Sequence, residues 1–238
     1  MKKHVTLFSS VLMMSTTLLG TGGVFAATSI NETNPSPESA QTPVSTELTI
    51  NETPTKPVAP TDPSEGGGDK PTEITGTYGI AYIPDALTGR AQLNDNNSQQ
   101  EISLENNKAT THKYNVGVQD KTRKKDQRWS LKASLNWDGD SNNYMAGTTI
   151  TASNGKVMEN NQGQLQELND QEVINSASSL TISQSSSVEV MKANNGKTMN
   201  GVYNYQFEAP KLVIPNPEKV AAGTYSGNIN WNLENAPA

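Results

Sequence analysis

Few residues in this chain carry side chains suited to chemistry, and their spacing narrows the choice. The 238-residue sequence has no cysteine and two histidines, His4 and His112. Nucleophilic catalysis needs an activated nucleophile beside a base, and there is neither a thiolate nor a Gly-x-Ser-x-Gly turn. A zinc site would lack both thiolates and enough imidazoles. A carboxylate pair would suit glycoside hydrolysis, but no pair stands out among the many Asp and Glu residues. Asp138-Gly139-Asp140-Ser141-Asn142 begins like a calcium loop, with oxygen ligands at alternate positions. Its sixth position is Asn143 rather than Gly and its twelfth is Thr149 rather than Glu, so a polar hairpin tip is expected. No catalytic residue, cofactor or metal is therefore expected, and the chain is not read as an enzyme.

What remains is binding chemistry. Trp129-Ser130-Leu131 and Trp231-Asn232-Leu233 repeat a Trp-x-Leu spacing. On a strand, with its side-chain period of two, that spacing puts both apolar groups on one face. Such a face is either core or an aromatic platform for a sugar ring, and both readings stay open here. Trp137 falls one step outside the alternation, next to the turn, and is the candidate for the more exposed indole. Lys121, Arg123, Lys124, Lys125 and Arg128 cluster against Asp126. Between two strands they form an exposed loop, either a solvated one that keeps edges soluble or one that meets anionic polymer by charge.

The elements that must position these residues read as strands. Trp129, Leu131, Ala133 and Leu135 alternate with polar residues, and Tyr225, Gly227, Ile229, Trp231 and Leu233 do the same near the end of the chain. Further runs are expected at Tyr78–Ile83, Glu101–Leu104, Lys113–Gln119, Ser179–Ser183, Val188–Lys192, Val202–Glu208 and Lys211–Ile214. Thr148–Ala152 and Lys156–Met158 flank Asn154-Gly155, a hairpin signal. Asn160–Asn175 reads as a polar loop. Many short strands punctuated by Gly, Asn and Pro predict an all-β domain over residues 73–238, an antiparallel β-sandwich or partly open barrel.

Residues 1–26 read as a secretory signal peptide: Lys2 and Lys3 first, an apolar core over Val5–Leu19, and Val24-Phe25-Ala26 as the cleavage context. Its removal takes the formal charge from −6 to −8. An acidic exported chain is a poor ligand for nucleic acid or anionic lipid, and no membrane insertion is expected after cleavage. Residues 27–72 form a Pro- and Glu-rich linker, with eight of the thirteen prolines and almost no large apolar residue. Such a segment does not offset its ordering entropy and is expected to be disordered and extended, closing on Gly66-Gly67-Gly68 as a flexible joint. The sequence reads to Ala238 without a Leu-Pro-x-Thr-Gly signal or an apolar tail, so surface retention is expected to be non-covalent.

These residues resemble the WxL domain family of Gram-positive surface proteins. The likeness rests on Val118-x-Asp120 before Arg128-Trp129-Ser130-Leu131-Lys132-Ala133-Ser134-Leu135. It rests equally on Ala222-Gly223-Thr224-Tyr225 before Trp231-Asn232-Leu233-Glu234-Asn235-Ala236-Pro237. The basic loop departs from it, since such proteins often carry a more neutral, Gly-containing turn there. The resemblance implies a secreted, cell wall-associated protein that binds peptidoglycan or an associated polymer without a covalent bond. Trp129, Leu131, Trp231 and Leu233 are then the motif residues, acting directly or by holding together the core that presents the binding surface. It also implies companion surface proteins as partners. The alternative reading is an adhesive or structural subunit that binds such a companion; a secreted glycan hydrolase stands behind both.

Overall fold

The computed structural model describes residues 35–60, 68–96, 98–107, 111–168, 171–194 and 196–235; the expected leader lies outside them. The chain divides into two units, Met1–Glu47 and Leu48–Ala238. In the first, residues 35–47 form no strand or helix and are exposed.

The second unit is all-β and antiparallel. Its larger sheet runs β1 (Asp69–Pro71), β2 (Tyr78–Pro84), β4 (Lys113–Asp120), β11 (Gly201–Ile214), β6 (Thr149–Asn161) and β7 (Gln164–Gln166). Off that path, β3 (Gln100–Ser103) pairs with β11 and β9 (Leu180–Ser183) pairs with β6. The smaller sheet runs β12 (Ser226–Asn235), β5 (Trp129–Asp138), β10 (Val188–Ala193) and β8 (Val173–Asn175). Alternation explains the core between them. Tyr114, Val116 and Val118 of β4 face inward beside Tyr203, Tyr205 and Phe207 of β11, and Trp129, Leu131, Ala133 and Leu135 of β5 meet them from the other sheet. Each large side chain buried there contributes about 1.5–3 kcal/mol.

Three local expectations change. Asn154-Gly155 makes no hairpin, because β6 runs straight through it. Asn154 takes a φ of 55° as a bulge, where the register with β11 slips between Gln206 and Glu208. Its amide donates to Glu208 Oε2 at 2.8 Å. Gly155 is needed because a Cβ there would sit 2.0 Å from the Ala177 carbonyl. The local sequence that favours a turn here serves a bend within one strand. Second, Val202–Glu208 and Lys211–Ile214 are one strand, β11, bent at Ala209 (φ 48°). Pro210 falls where β4 stops and β3 begins, so its missing N–H disturbs neither ladder. Third, the segment read as a loop over Asn160–Asn175 carries β7 and β8.

The second face of the large sheet is buried as well. β4 is buried from Tyr114 to Asp120, so Asn115, Gly117 and Gln119 are covered on the side away from the core. Part of the cover comes from chain expected to be linker, through Asp69 on Asn115, while the Tyr82 ring lies over Gly117 and Gly76 O accepts the Gln119 amide at 2.7 Å. Asp69–Pro71 already pair with β2, and Gly68 accepts bonds from the Asp85 N–H (2.9 Å) and the Asn106 amide (3.2 Å). Val58 O accepts the Asn160 amide at 2.7 Å, and Ala59 packs on Ala81, Tyr82 and Val202. A polar chain runs underneath. Asn160 donates to the Tyr82 hydroxyl (2.9 Å), which donates to Asn204 (3.0 Å). Asn204 in turn donates to Asn115 (3.0 Å), which donates to Asp69 (2.9 Å). Apolar content alone hides this cover, because the segment docks by satisfying buried amides.

Burial pushes the Asp69 carboxyl up to about 6, against the bonds from Asn115 that pull it down. A folded value above the unfolded 3.8 means the native state holds this proton more tightly. The stability it adds is present below pH 4 and lost as pH rises through 6. The loss is on the order of 2–3 kcal/mol. Asp69→Asn is expected to remove that slope, seen as a wild-type-minus-variant difference in urea midpoint that changes between pH 4 and 7.

Candidate functional site

Both motifs lie on neighbouring strands. β12 pairs with β5 along its whole length, with Leu233 opposite Leu131, Trp231 opposite Ala133 and Asn235 opposite Trp129. The large indole of Trp231 thus faces the smallest side chain of the β5 stripe. Trp129 and Leu131 are fully buried at 0% exposure, so neither reaches a ligand directly. The Trp129 ring lies 5.9 Å from Tyr203, and its Nε1–H donates to Asp120 Oδ2 at 3.2 Å. Trp231 and Leu233 are half-buried, and the Trp231 ring sits 6.2 Å from Phe207. Trp137 is not outside the alternation: β5 continues to Asp138, and residue 137 keeps the parity of 129 to 135. It packs against the core, half-buried, and its Nε1–H donates to Thr148 Oγ1 at 2.9 Å. Gly227 opposite it must be glycine, since a Cβ would lie 2.3 Å from Asn136 O and 2.9 Å from the Trp137 ring.

The other face of this strand pair is polar. Ser134 and Asn136 of β5 stand beside Asn228, Asn230 and Asn232 of β12. Asn136, Asn228, Asn230 and Asn232 are exposed. Two of the amides are aimed by Asp138, which accepts from Asn136 (3.0 Å) and Asn228 (2.9 Å). Lys132 and Glu234 pair at 2.6 Å toward the other end. Same-face neighbours along a strand recur about every 6.8 Å, so the Asn side chains form a regular row of donors and acceptors. By alternation these residues are simply the polar half of the strand, with no role assigned to them. Their run of three amides at period two was the available signal.

Asp120 ties the buried motif to the basic loop. Fully buried, it accepts from Trp129 with one oxygen and, with the other, from the Thr122 N–H (3.2 Å) and hydroxyl (2.7 Å). The loop is pinned further by the Arg123 N–H to Met199 O at 2.8 Å, with Arg123 at φ 57°. Gly196 allows its approach, because a Cβ there would lie 1.9 Å from Lys125 O. Arg123, Lys124 and Lys125 are exposed, Lys121 and Arg128 half-buried. Burial lowers the Lys121 ammonium, whose Nζ donates to Thr55 O at 3.4 Å. Among the described residues none of the five cations joins an ion pair. The basic loop leads into β5 at Trp129, whereas Asn228, Asn230 and Asn232 lie opposite Asn136, Ser134 and Lys132 farther along that strand.

Asp140, part of the calcium-like run, spends its carboxylate on the backbone N–H groups of Tyr144 (2.9 Å) and Met145 (2.8 Å). Among the described residues no group of three or more His, Asp or Glu is placed to hold a metal ion, and no helix is long and apolar enough to cross a membrane. A sequence model of the family described as WxL domain surface cell wall-binding matches residues 35–237. That span starts well before Glu73 and takes in the cover segment. No curated protein and no solved structure matches the chain.

Proposed function

As this chain belongs to the WxL domain surface cell wall-binding family, we propose that it attaches to peptidoglycan non-covalently, through the outer face of the motif sheet. It is a surface, cell wall-associated protein. The observation that carries the finer reading is the division of labour across one strand pair. The Trp-x-Leu residues turn inward, two of them wholly buried, while Asn136, Asn228, Asn230 and Asn232 turn outward and are exposed. Exposed amides suit the hydroxyl, N-acetyl and peptide groups of peptidoglycan, which both donate and accept. The motif thus acts from inside by fixing the strands that carry the contacts. Export by the leader at residues 1–26, and its removal, belong to the same proposal.

The test is sedimentation of the folded mature chain with isolated sacculi freed of accessory polymers. Retention at moderate salt is the expected result; its loss there, with folded protein, would remove peptidoglycan as the ligand. The basic loop supplies a second, weaker contact with anionic groups of the wall. Arg123→Ser/Lys124→Ser/Lys125→Ser is expected to weaken retention on untreated walls several-fold at low ionic strength. At high salt, where the Debye length falls to about 3 Å, it should have little effect. An equal loss at both salts would show that the loop acts by fold rather than by charge.

A further inference from the structure

The edges of both sheets are blunted, with one exception. β1, β7 and β8 have three residues each, and β3 and β9 have four. β2 carries a bulge between Ile80 and Tyr82 and ends in Pro84. Short strands, bulges and prolines are the usual means of keeping a sheet from adding further strands. β12 has none of them. It is ten residues long, its register with β5 is unbroken, and it contains no proline or lysine. Its one charge, Glu234, is held by Lys132 at 2.6 Å. Among the described residues no strand pairs with its other side. On the inward face of this open edge Ile229, Trp231 and Leu233 remain only half-buried.

From this edge we infer that β12 pairs with β12 of a second copy of this chain, forming a two-fold dimer centred on Trp231. Antiparallel pairing sets residues of one face opposite each other, so a symmetric pairing must be centred on a residue. Centred on Trp231, indole meets indole and Ile229 faces the copy's Leu233, which covers the half-exposed stripe. On the outer face Asn230 meets the copy's Asn232, and Glu234 meets Asn228, so no like charges oppose. Centred on Asn230, Leu233 would face only Gly227. The dimer joins two four-stranded sheets into one and sets two rows of outward Asn residues side by side. The pairing stands apart from wall attachment, since it needs no wall polymer.

The experiment is the mass of the full mature chain in solution, by light scattering at micromolar concentration. The wild type is expected to be a dimer. Asn230→Lys/Asn232→Lys puts lysine opposite lysine at the edge and is expected to give monomers, as is Asn230→Glu/Asn232→Glu by the same repulsion. Mixing the two variants should restore a dimer made of one of each. The chain has no cysteine of its own, so Trp231→Cys should cross-link across the axis on oxidation and Asn230→Cys should not. A monomeric wild type would overturn the inference. So would a dimer that survives the lysine pair, a mixture that stays monomeric, or a dimer lost only when the exposed Val44 and Leu48 are made polar.

Discussion

Trp129→Ala is expected to cost about 3–5 kcal/mol, the range for emptying a fully buried aromatic site. The side chain is 0% exposed, packs on Tyr203, and satisfies one oxygen of buried Asp120. Removing it leaves a cavity at the start of β5 and a carboxylate oxygen short of a donor. For a domain whose whole stability is about 5–15 kcal/mol, that is enough to unfold a large fraction of the chain. Trp231→Ala, at the half-exposed end of the other motif, should cost markedly less, about 1–2 kcal/mol. Urea unfolding followed by far-UV circular dichroism separates the two. Equal costs would mean that both indoles are equally buried, against the arrangement described here.

Gly117→Ala is expected to be nearly as damaging, although it adds one methyl group. A Cβ at Gly117 would lie 2.2 Å from the Tyr82 ring, so the ring must move. It has nowhere to go: Tyr82 is fully buried, and its hydroxyl is bonded to both Asn204 and Asn160. Overpacking of this kind costs about 1–3 kcal/mol, and breaking the amide chain adds about 1–3 kcal/mol for groups left unpaired. Tyr82→Phe/Gly117→Ala should recover little, because the ring rather than the hydroxyl makes the clash. Tyr82→Ala/Gly117→Ala should show that the two losses are not additive, which is the mark of a shared contact.

The strand series was legible because period-two alternation is written directly into the side chains. Parity alone separated the apolar stripe from the polar one in β5 and β12, without saying which face is buried. Three features were not legible, each for a physical reason. Asn154-Gly155 has turn chemistry, but the same positive φ and missing Cβ serve a bulge when the flanking residues find partners on β11. The docking of residues 55–60 beside Tyr82 and Asn160 was hidden because it runs through a backbone carbonyl and a buried amide, which hydropathy does not register. Finally, alternation assigns faces without saying which strand is an edge. The half-burial of Trp231 against the full burial of Trp129 follows from the edge position of β12, and that is a property of topology.

The claim that the motif works from inside is tested most directly by comparing two folded variants in one sacculus-binding isotherm. Trp129→Phe keeps an aromatic ring in the core but loses the indole N–H bond to Asp120 and part of the ring's bulk. Asn228→Ala/Asn230→Ala/Asn232→Ala keeps the core and strips the outward amides. The expected result is near-normal affinity for Trp129→Phe and at least about a tenfold loss for the triple variant, given roughly 0.5–1.5 kcal/mol per hydrogen bond removed. Full binding by the triple variant together with lost binding by folded Trp129→Phe would contradict it.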